Sequence, residues 1–326
     1  MDSTVGIDVS KDSLDVVLVN GNRQAHKVFS NHAVGHQHLE NWLAGQRAGR
    51  SHACLEATGQ YGEAVAEFLY QRGHAVSVVN PARIKRYGES KLHRNKTDKA
   101  DAALIAEFCQ KENPSLWEPL PAEVKHLRAL VRRLADLQTA YQQERNRTLS
   151  GEKDAWVLED LQMHLSFLQE HIQAARLAIQ QHIEQHPLLS SQQELLVSIP
   201  GIGKLTAARL LAEIGDISAF EDAPQLAAYA GLNPKGSRSG TSVHKKTRIS
   251  KEGRAFLRSI LWMSAVVSLK HNPVIMEFCQ RLEERRLPKM AIVVAAMRKL
   301  LHLVFGVLKN QRPFDPDYGK KFAFTP

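Results

Sequence analysis

The segment Thr4–Ser10, TVGIDVS, decides the fold of the N-terminal part of the chain. Its apolar residues alternate and include β-branched side chains, which is typical of a strand, and an acid, Asp8, stands between Ile7 and Val9. A carboxylate in the middle of an apolar strand must be solvated, paired or bound to a metal ion. This strand therefore predicts a sheet and, in it, a functional group.

The elements that follow extend the sheet. Leu14–Asn20 and Gln24–Ser30 predict two further strands, so the chain opens with a three-strand meander. Apolar spacing then predicts alternating helices and strands at His36–Ala44, His52–Glu56, Gly62–Arg72, Ala75–Val79 and from about Thr97 to Lys111. A meander followed by such units is the order of the ribonuclease H-like fold, which we predict for residues 1–121.

Three more acids are candidates for one site with Asp8. Glu56 ends the fourth strand, and Asp98 and Asp101 are three residues apart on one helix face. In a ribonuclease H-like sheet the first and fourth strands are neighbours, so the four carboxylates should converge. They would repel one another without a cation, and oxygen ligands select Mg²⁺ or Mn²⁺. Asp12 and Asp15 are interpreted as solvated residues of the turn and the second strand.

Positive charge surrounds the last acidic pair. The stretch Arg83–Lys99 contains seven Lys and Arg residues and only two acids. A solvated helix face would have such a composition, but positive charge beside a phosphodiester site also favours substrate binding. We predict that Arg94 and Lys96 contact nucleic acid.

Residues 122–187 have a different pattern. Leucines recur at spacings of three and four on both sides of Gly151, which predicts two helices that form an antiparallel hairpin or a coiled coil. We interpret this segment as a helical arm, which serves as a spacer or a dimerisation element.

Residues 188–326 are predicted to form a third, mostly helical domain. Leu195–Ile214 is interpreted as a helix, a tight turn and a second helix, which resembles a helix-hairpin-helix element; a plain turn between helices is the alternative. Gly201 and Gly203 would let backbone N–H groups approach a phosphate. The helices Arg254–Leu269 and Lys289–Leu308 are predicted to follow.

A basic loop follows the turn. Lys235–Arg258 has eight Lys and Arg residues and one acid, Glu252. Its hydroxyls, among them Ser239 and Ser242, could contact phosphates, or one of them could attack a phosphodiester. The residues of this loop that we predict to bind nucleic acid are Lys235, Arg238, Lys245, Lys246 and Arg248.

Composition agrees with a protein that binds a polyanion. The chain has 326 residues, a net charge of +9 and an isoelectric point near 9.5. Its three cysteines form no C-x-x-C pair, which argues against a zinc site and against a complete disulfide framework. No signal peptide or membrane span is predicted, so we expect a cytoplasmic, nucleoid-associated protein.

Six motifs carry a resemblance to a known family. The chain resembles the DEDD transposases of insertion sequences, relatives of the Piv invertase that are also described as bridge-RNA-guided recombinases. The likeness extends from Val5 to about Pro313, and the motifs occur in the order of the family. They are GIDVSK (Gly6–Lys11), LEATG (Leu55–Gly59), NKTDKADA (Asn95–Ala102), SIPGIG (Ser198–Gly203), YAGLNP (Tyr229–Pro234) and SGTS (Ser239–Ser242).

The resemblance implies an activity and a site. It implies a RuvC-like domain whose Mg²⁺-binding acids are Asp8, Glu56, Asp98 and Asp101, and a transposase domain whose catalytic serine is Ser239. In the family this serine becomes covalently linked to DNA, and a structured RNA pairs with donor and target DNA. Thr241 occupies a position where a serine is common, which leaves Ser239 and Ser242 as the serine candidates.

Other classes of protein share some of these features. A RuvC-like structure-specific endonuclease would need the four acids but no covalent intermediate. An actin-like phosphotransferase also opens with a Gly-Ile-Asp strand, but we find no second glycine-rich phosphate loop. A non-catalytic DNA-binding scaffold would leave Asp8 unexplained. Because the acids and Ser239 belong to different domains, we expect a homodimer or homotetramer whose active site combines residues of two subunits.

Overall fold

The computed structural model describes residues 3–57, 59, 61–91, 97–239 and 243–317. The chain divides into two compact units between Pro119 and Leu120. The predicted division into residues 1–121, 122–187 and 188–326 stays a prediction.

Unit 1 is built on a five-stranded mixed sheet. Its strands are β1 (Ser3–Val9), β2 (Ser13–Asn20), β3 (Arg23–Ser30), β4 (His52–Glu56) and β5 (Ala75–Val79), in the spatial order β3-β2-β1-β4-β5. The first three strands are antiparallel, and β4 runs parallel to both β1 and β5. The predicted adjacency of the first and fourth strands is therefore confirmed.

The described residues of unit 1 also form the helices α1 (Ala33–Gly45), α2 (Glu63–Gln71), α3 (Pro81–Ser90) and α4 (Asp98–Glu112). The helix α3 was not predicted from the sequence. In the structure the Asn80 side chain accepts a hydrogen bond from the Ala82 N–H, and Pro81 occupies the first turn. An N-cap residue followed by proline is a helix-start signal, so the sequence did contain the information.

The packing of α4 on β1 depends on Gly6. A Cβ atom at this position would lie 2.2 Å from the Ala102 carbonyl oxygen and 2.3 Å from the Ala106 nitrogen. The helix backbone therefore rests directly on the strand, and no larger residue fits between them. Val17, the partner of Gly6 on β2, packs against the same two alanines.

Unit 2 contains the two long helices of the predicted hairpin, α5 (Ala122–Leu149) and α6 (Ala155–Glu184). They are antiparallel, because the Glu144 carboxylate lies 2.8 Å from His164 Nδ1 and His182 Nε2 lies 2.8 Å from the Glu123 carbonyl oxygen. The Asp154 side chain caps the start of α6.

The leucine stripes of the hairpin are buried within the chain. Leu127 and Leu134 of α5 belong to one core cluster with Leu168 of α6 and with residues as distant as Leu308. These leucines therefore pack within unit 2, and a role of the hairpin in dimerisation stays a prediction. A different set of apolar side chains remains exposed on α6, and it comprises Trp156, Met163, Phe167 and Leu177.

The remaining helices of unit 2 are α7 (Pro187–Val197), α8 (Lys204–Ile214), α9 (Ala223–Tyr229), α10 (Ala255–His271), α11 (Pro273–Glu284) and α12 (Lys289–Asn310), with a short 3-10 helix at Ile217–Ala219. The helix α11 was not predicted, and it begins with the same Asn-Pro signal as α3. The helix α12 is long and apolar enough to cross a membrane by length and composition. Eight of its side chains are buried, and they pack in the core of the unit.

A pair of short strands interrupts the helices of unit 2. The segments β6 (Pro234–Ser239) and β7 (Val243–Ile249) are antiparallel, with a register irregularity between Lys235 and Ser237. The sequence predicted only a polar loop here. Neither segment has the alternating apolar residues by which a strand is recognised in a sequence.

The close approach at Gly6 gives a first prediction. In Gly6→Ala the added Cβ would displace α4, so we expect a loss of about 1–3 kcal/mol in the free energy of unfolding, measured by urea denaturation. Gly45→Ala is the matched control, since no heavy atom lies within 4 Å of the point that its Cβ would occupy and its φ is not positive. An equally stable Gly6→Ala protein would contradict the close packing of helix on strand.

Candidate nucleic-acid-processing site

The acids of unit 1 converge through the register of the sheet. Gly6 and Asp8 lie two residues apart on β1 and therefore face the same side of the sheet. On α4, Asp98 is one turn before Ala102, which rests on Gly6. The distance from Gly6 to Asp8 along β1 is similar to the length of one helical turn, which separates Ala102 from Asp98 on α4. The first turn of α4 therefore lies above Asp8.

Electrostatics agrees with this geometry. Burial raises the pKa of the half-buried Asp8 carboxyl above its ordinary value, and repulsion from Asp101, Asp98 and Asp15 raises it further. A hydrogen bond with the Val9 backbone acts in the opposite direction. The structure thus brings Asp8, Asp98 and Asp101 into one electrostatic group.

Glu56 stands at the same end of the sheet. It is the last residue of β4, and it follows Leu55, the partner of Ile7, so it lies level with Asp8. Glu56 is half-buried and pairs in register with Val79 of β5. Strand order and register therefore support the sequence prediction that Glu56 and Asp8 belong to one site.

The local structure explains why two acids lie in the first turn of α4. The Thr97 side chain accepts a hydrogen bond from the Ala100 N–H at 3.2 Å and caps the helix. Asp98 and Asp101 then occupy the first turn, where the helix dipole favours negative charge. The start of α4 is therefore a favourable position for two acids, and it lies close to Asp8.

Asp15 is a fifth acid, whose position was not recognised from the sequence. It is the partner of Asp8 in the β1–β2 register, and its carboxylate lies 3.0 Å from His26 Nε2. The interpretation of Asp15 as merely solvated is therefore wrong, whereas Asp12 is exposed at the turn as expected. The tight turn at Ser10–Ser13 fixes the register of β1 and β2. The length of that turn was therefore the sequence signal that places Asp15 opposite Asp8.

The donor set fits a hard divalent cation. All four predicted ligands are carboxylates, and burial together with neighbouring negative charge raises the pKa of Asp8, which a bound cation would oppose. Among the residues that the structure describes, no three His, Cys, Asp or Glu side chains stand close enough to hold a metal ion.

The basic run beside this site is only partly described. Arg83 lies over the Phe108 ring at 5.5 Å, and Lys91 forms an ion pair with Glu107 at 3.1 Å. These two residues therefore have structural partners. Arg94 and Lys96 lie outside the described residues, and their contact with nucleic acid stays a prediction.

The glycine turn of unit 2 is packed against a helix. Gly201 has a φ of +103°, and a Cβ there would lie 2.0 Å from the Ser268 hydroxyl of α10. The Ser268 hydroxyl and the Asn272 amide both donate hydrogen bonds to the Pro200 carbonyl. Intramolecular packing therefore explains Gly201. Gly203 is the exposed N-cap of α8, and no heavy atom lies within 4 Å of its Cβ position.

The predicted serine lies in the strand pair of unit 2. Ser239 is the last residue of β6 and pairs with Val243, while Thr241 and Ser242 lie outside the described residues. The side chains of Ser239, Arg238, Lys245 and Lys246 also lie outside the described part, although their backbone belongs to the strands. The exposed Arg248 is opposite Lys235, whose ammonium group forms a 2.8 Å ion pair with Glu252.

Both units contain segments that match models of known transposase families. A family model for DEDD transposases matches residues 5–150, and the model "Transposase IS116/IS110/IS902 family" matches residues 193–280. The pilin gene-inverting protein of Moraxella bovis is 37% identical over 314 residues, which cover 95% of this chain and 97% of that protein. The chain belongs to the DEDD transposase family. It is therefore a DNA-recombining enzyme.

Further relatives of this transposase include both inverting and transposing proteins. The pilin gene-inverting protein of Moraxella lacunata is also 37% identical over 314 residues. The transposase for insertion sequence element IS1111A of Coxiella burnetii is 26% identical over 294 residues, which cover 82% of this chain and 78% of that protein. The resemblance inferred from the six motifs is thus confirmed.

The raised pKa of Asp8 gives a second prediction. A carboxyl whose pKa is higher in the folded than in the unfolded state makes the fold less stable as the pH rises through that interval. At pH 7 without divalent cations, Asp8→Asn should therefore melt a few degrees higher than the wild type. Added Mg²⁺ should raise the melting temperature of the wild type more than that of the variant.

Asp12→Asn is the matched control, because Asp12 is exposed. Differential scanning calorimetry with EDTA and with Mg²⁺ would measure both effects. Equal responses of the wild type and Asp8→Asn to Mg²⁺ would contradict a role for Asp8 in cation binding.

Proposed function

We propose that the protein is an insertion-sequence transposase that cuts and rejoins DNA, with Mg²⁺- or Mn²⁺-binding carboxylates and a serine nucleophile. The carboxylates are Asp8, Glu56, Asp98 and Asp101, and the nucleophile is Ser239. The single observation that carries the proposal is the electrostatic group formed by Asp8, Asp98 and Asp101 at one end of the sheet.

In this proposal the acids have distinct tasks. Asp8 and Glu56 would hold the cation from the sheet, and Asp98 and Asp101 would hold it from the first turn of α4. When bound, Mg²⁺ activates an attacking oxygen and stabilises the leaving oxygen in phosphodiester chemistry. The contact at Gly6 keeps helix and strand at a fixed distance, so the four carboxylates can act together.

Ser239 would perform the covalent step. Its hydroxyl oxygen attacks a DNA phosphorus, the phosphorus–oxygen bond to the leaving strand breaks, and the hydroxyl proton passes to a base. A free serine hydroxyl is a weak nucleophile, and no acid stands near Ser239 in the sequence. The activating groups would therefore be the carboxylates of unit 1, from the same or a second subunit.

The proposal includes nucleic-acid partners and an assembly. The basic residues of β6 and β7 would bind the phosphates of donor and target DNA, and a structured RNA would guide the choice of site. The active form would be a homodimer or homotetramer in the cytoplasm, associated with the nucleoid. The alternative is a RuvC-like endonuclease that forms no covalent intermediate. The absence of a covalent protein–DNA adduct would favour this alternative.

A second candidate function is inversion of a DNA segment. It is favoured by the two pilin gene-inverting proteins, each of which aligns over 97% of its length with this chain. Inversion and insertion would use the same cleavage and rejoining steps and would differ in the arrangement of the recombination sites. A plasmid assay with inverted sites, compared with one that carries separate donor and target sites, distinguishes the two.

The serine step gives a third prediction. The wild type should form a covalent protein–DNA adduct in the presence of Mg²⁺, and Ser239→Ala and Asp8→Asn should each abolish it. If two subunits share a site, a mixture of the two inactive variants should recover part of the cleavage and the adduct. Denaturing gel electrophoresis with labelled DNA measures both products.

Ser250→Ala is the matched control for the serine, since Ser250 follows β7 in the same segment and should keep the adduct. An adduct formed by Ser239→Ala alone would contradict the assignment and make Ser242 the next residue to test. If mixed oligomers form without recovery of activity, the acids and the serine must act within one chain.

A further inference from the structure

A buried carboxylate in unit 2 is surrounded by arginines. Glu213 of α8 is only 1% exposed, and it accepts hydrogen bonds from two guanidinium groups. Arg132 of α5 donates from Nε at 3.1 Å, and Arg254 donates from Nη1 at 3.4 Å. One negative charge thus faces two positive charges.

A third guanidinium joins this group. Arg128 lies one turn before Arg132 on α5, and its Nε donates to the Ala212 carbonyl oxygen at 2.8 Å. Burial lowers the pKa of Arg128, and repulsion from Arg254 lowers it further, which places these cations close to each other. The guanidinium of Arg254 also lies over the Tyr229 ring, 5.1 Å from its centroid.

The charges of this cluster do not balance. Three guanidinium groups lie near one carboxylate, and only Arg132 and Arg254 bond to it, so two positive charges remain without a negative partner in a partly desolvated place. Within the described part of the chain, Glu213 is the only acid that pairs with any of the three arginines. Uncompensated charge in such surroundings is costly unless an anion binds to it.

The cluster is open to an anion from solvent. The side chains of Arg132 and Arg254 are 39% and 38% exposed, whereas their partner Glu213 is buried. Each uses one nitrogen for Glu213, although a guanidinium has five N–H donors in a planar fork. Such forks match the paired oxygens of a phosphate.

The cluster lies at the base of the basic strand pair. Arg254 caps the start of α10, five residues after the end of β7. Its backbone N–H donates to the Tyr229 carbonyl at 2.9 Å, and Arg258 Nη1 donates to the carbonyls of Ala230 and Gly253. Only the four residues 250–253 separate Arg254 from the end of β7, so the arginines lie close to the basic strand pair.

We propose that Arg128, Arg132 and Arg254 form a binding site for one backbone phosphate of nucleic acid, with Glu213 as the positioning residue that fixes the orientation of Arg132 and Arg254. The inference rests on the proposed function, because it assumes that β6 and β7 bind nucleic acid. A DNA phosphate and an RNA phosphate offer the same chemistry to this site. The experiment therefore uses both.

The test measures how salt affects the affinity of the full chain. Binding of a labelled DNA duplex and of a labelled RNA hairpin is titrated by fluorescence anisotropy at several salt concentrations. Arg128→Gln and Arg132→Gln should each weaken binding several-fold. Each should also lower the slope of log affinity against log salt concentration by about one unit for the nucleic acid, DNA or RNA, that supplies the phosphate. Arg133→Gln is the matched control, since Arg133 is an exposed neighbour on the same helix.

Stability measurements separate binding from folding. Arg132→Gln breaks an ion pair with a buried carboxylate and should lower the melting temperature, whereas Arg128 bonds only a carbonyl oxygen and can be replaced at less cost to the fold. If both variants keep the wild-type slope on DNA and on RNA, the arginines only clamp the helices and the inference is wrong.

A triple variant shows whether an unchanged slope in the arginine variants refutes only the phosphate site or also the proposed function. Neutralising Lys245, Lys246 and Arg248 together should flatten the salt slope, because these residues are proposed to contact phosphates. If the triple variant loses slope and the arginine variants do not, only the phosphate site is refuted. If the wild type binds neither DNA nor RNA, the proposed function fails as well.

Discussion

The contact between Gly6 of β1 and the backbone of α4 determines the geometry of unit 1. Because Gly6 has no Cβ, Ala102 and Ala106 lie directly on the strand, and the first turn of α4 comes to lie above Asp8. A bulkier residue would separate the helix from the sheet and move Asp98 and Asp101 away from Asp8. The electrostatic strain on Asp8 is a consequence of this close packing.

The acids of the proposed site also oppose its formation. Burial of Asp8 disfavours its charged form, and repulsion from Asp101, Asp98 and Asp15 adds to the cost. The surrounding fold compensates for it: the apolar faces of β1 and β2 pack against α1 and α2 on the opposite side of the sheet. A stable core on one face thus permits a strained, charged group on the other.

Unit 2 differs from unit 1 because it contains clustered positive charge. Its basic residues cluster in β6, β7 and the start of α10, and several guanidinium groups are partly buried beside Glu213. The long hairpin of α5 and α6 contributes Arg128 and Arg132 to this region and buries its leucines in the same core. The hairpin is therefore a structural part of the unit, and not only a spacer.

The sequence by itself determined the strands of unit 1, the four candidate acids, the helical hairpin and the family, because apolar periodicity and short motifs are local properties. It also contained the Asn-Pro signals of α3 and α11, which could have been recognised. Only the tertiary structure decided that Gly201 packs against α10, and that Arg128 lies near Arg132 and Arg254, which both bond to Glu213. These contacts join residues that are far apart in the chain, and no spacing rule predicts which distant side chains a fold will bring together.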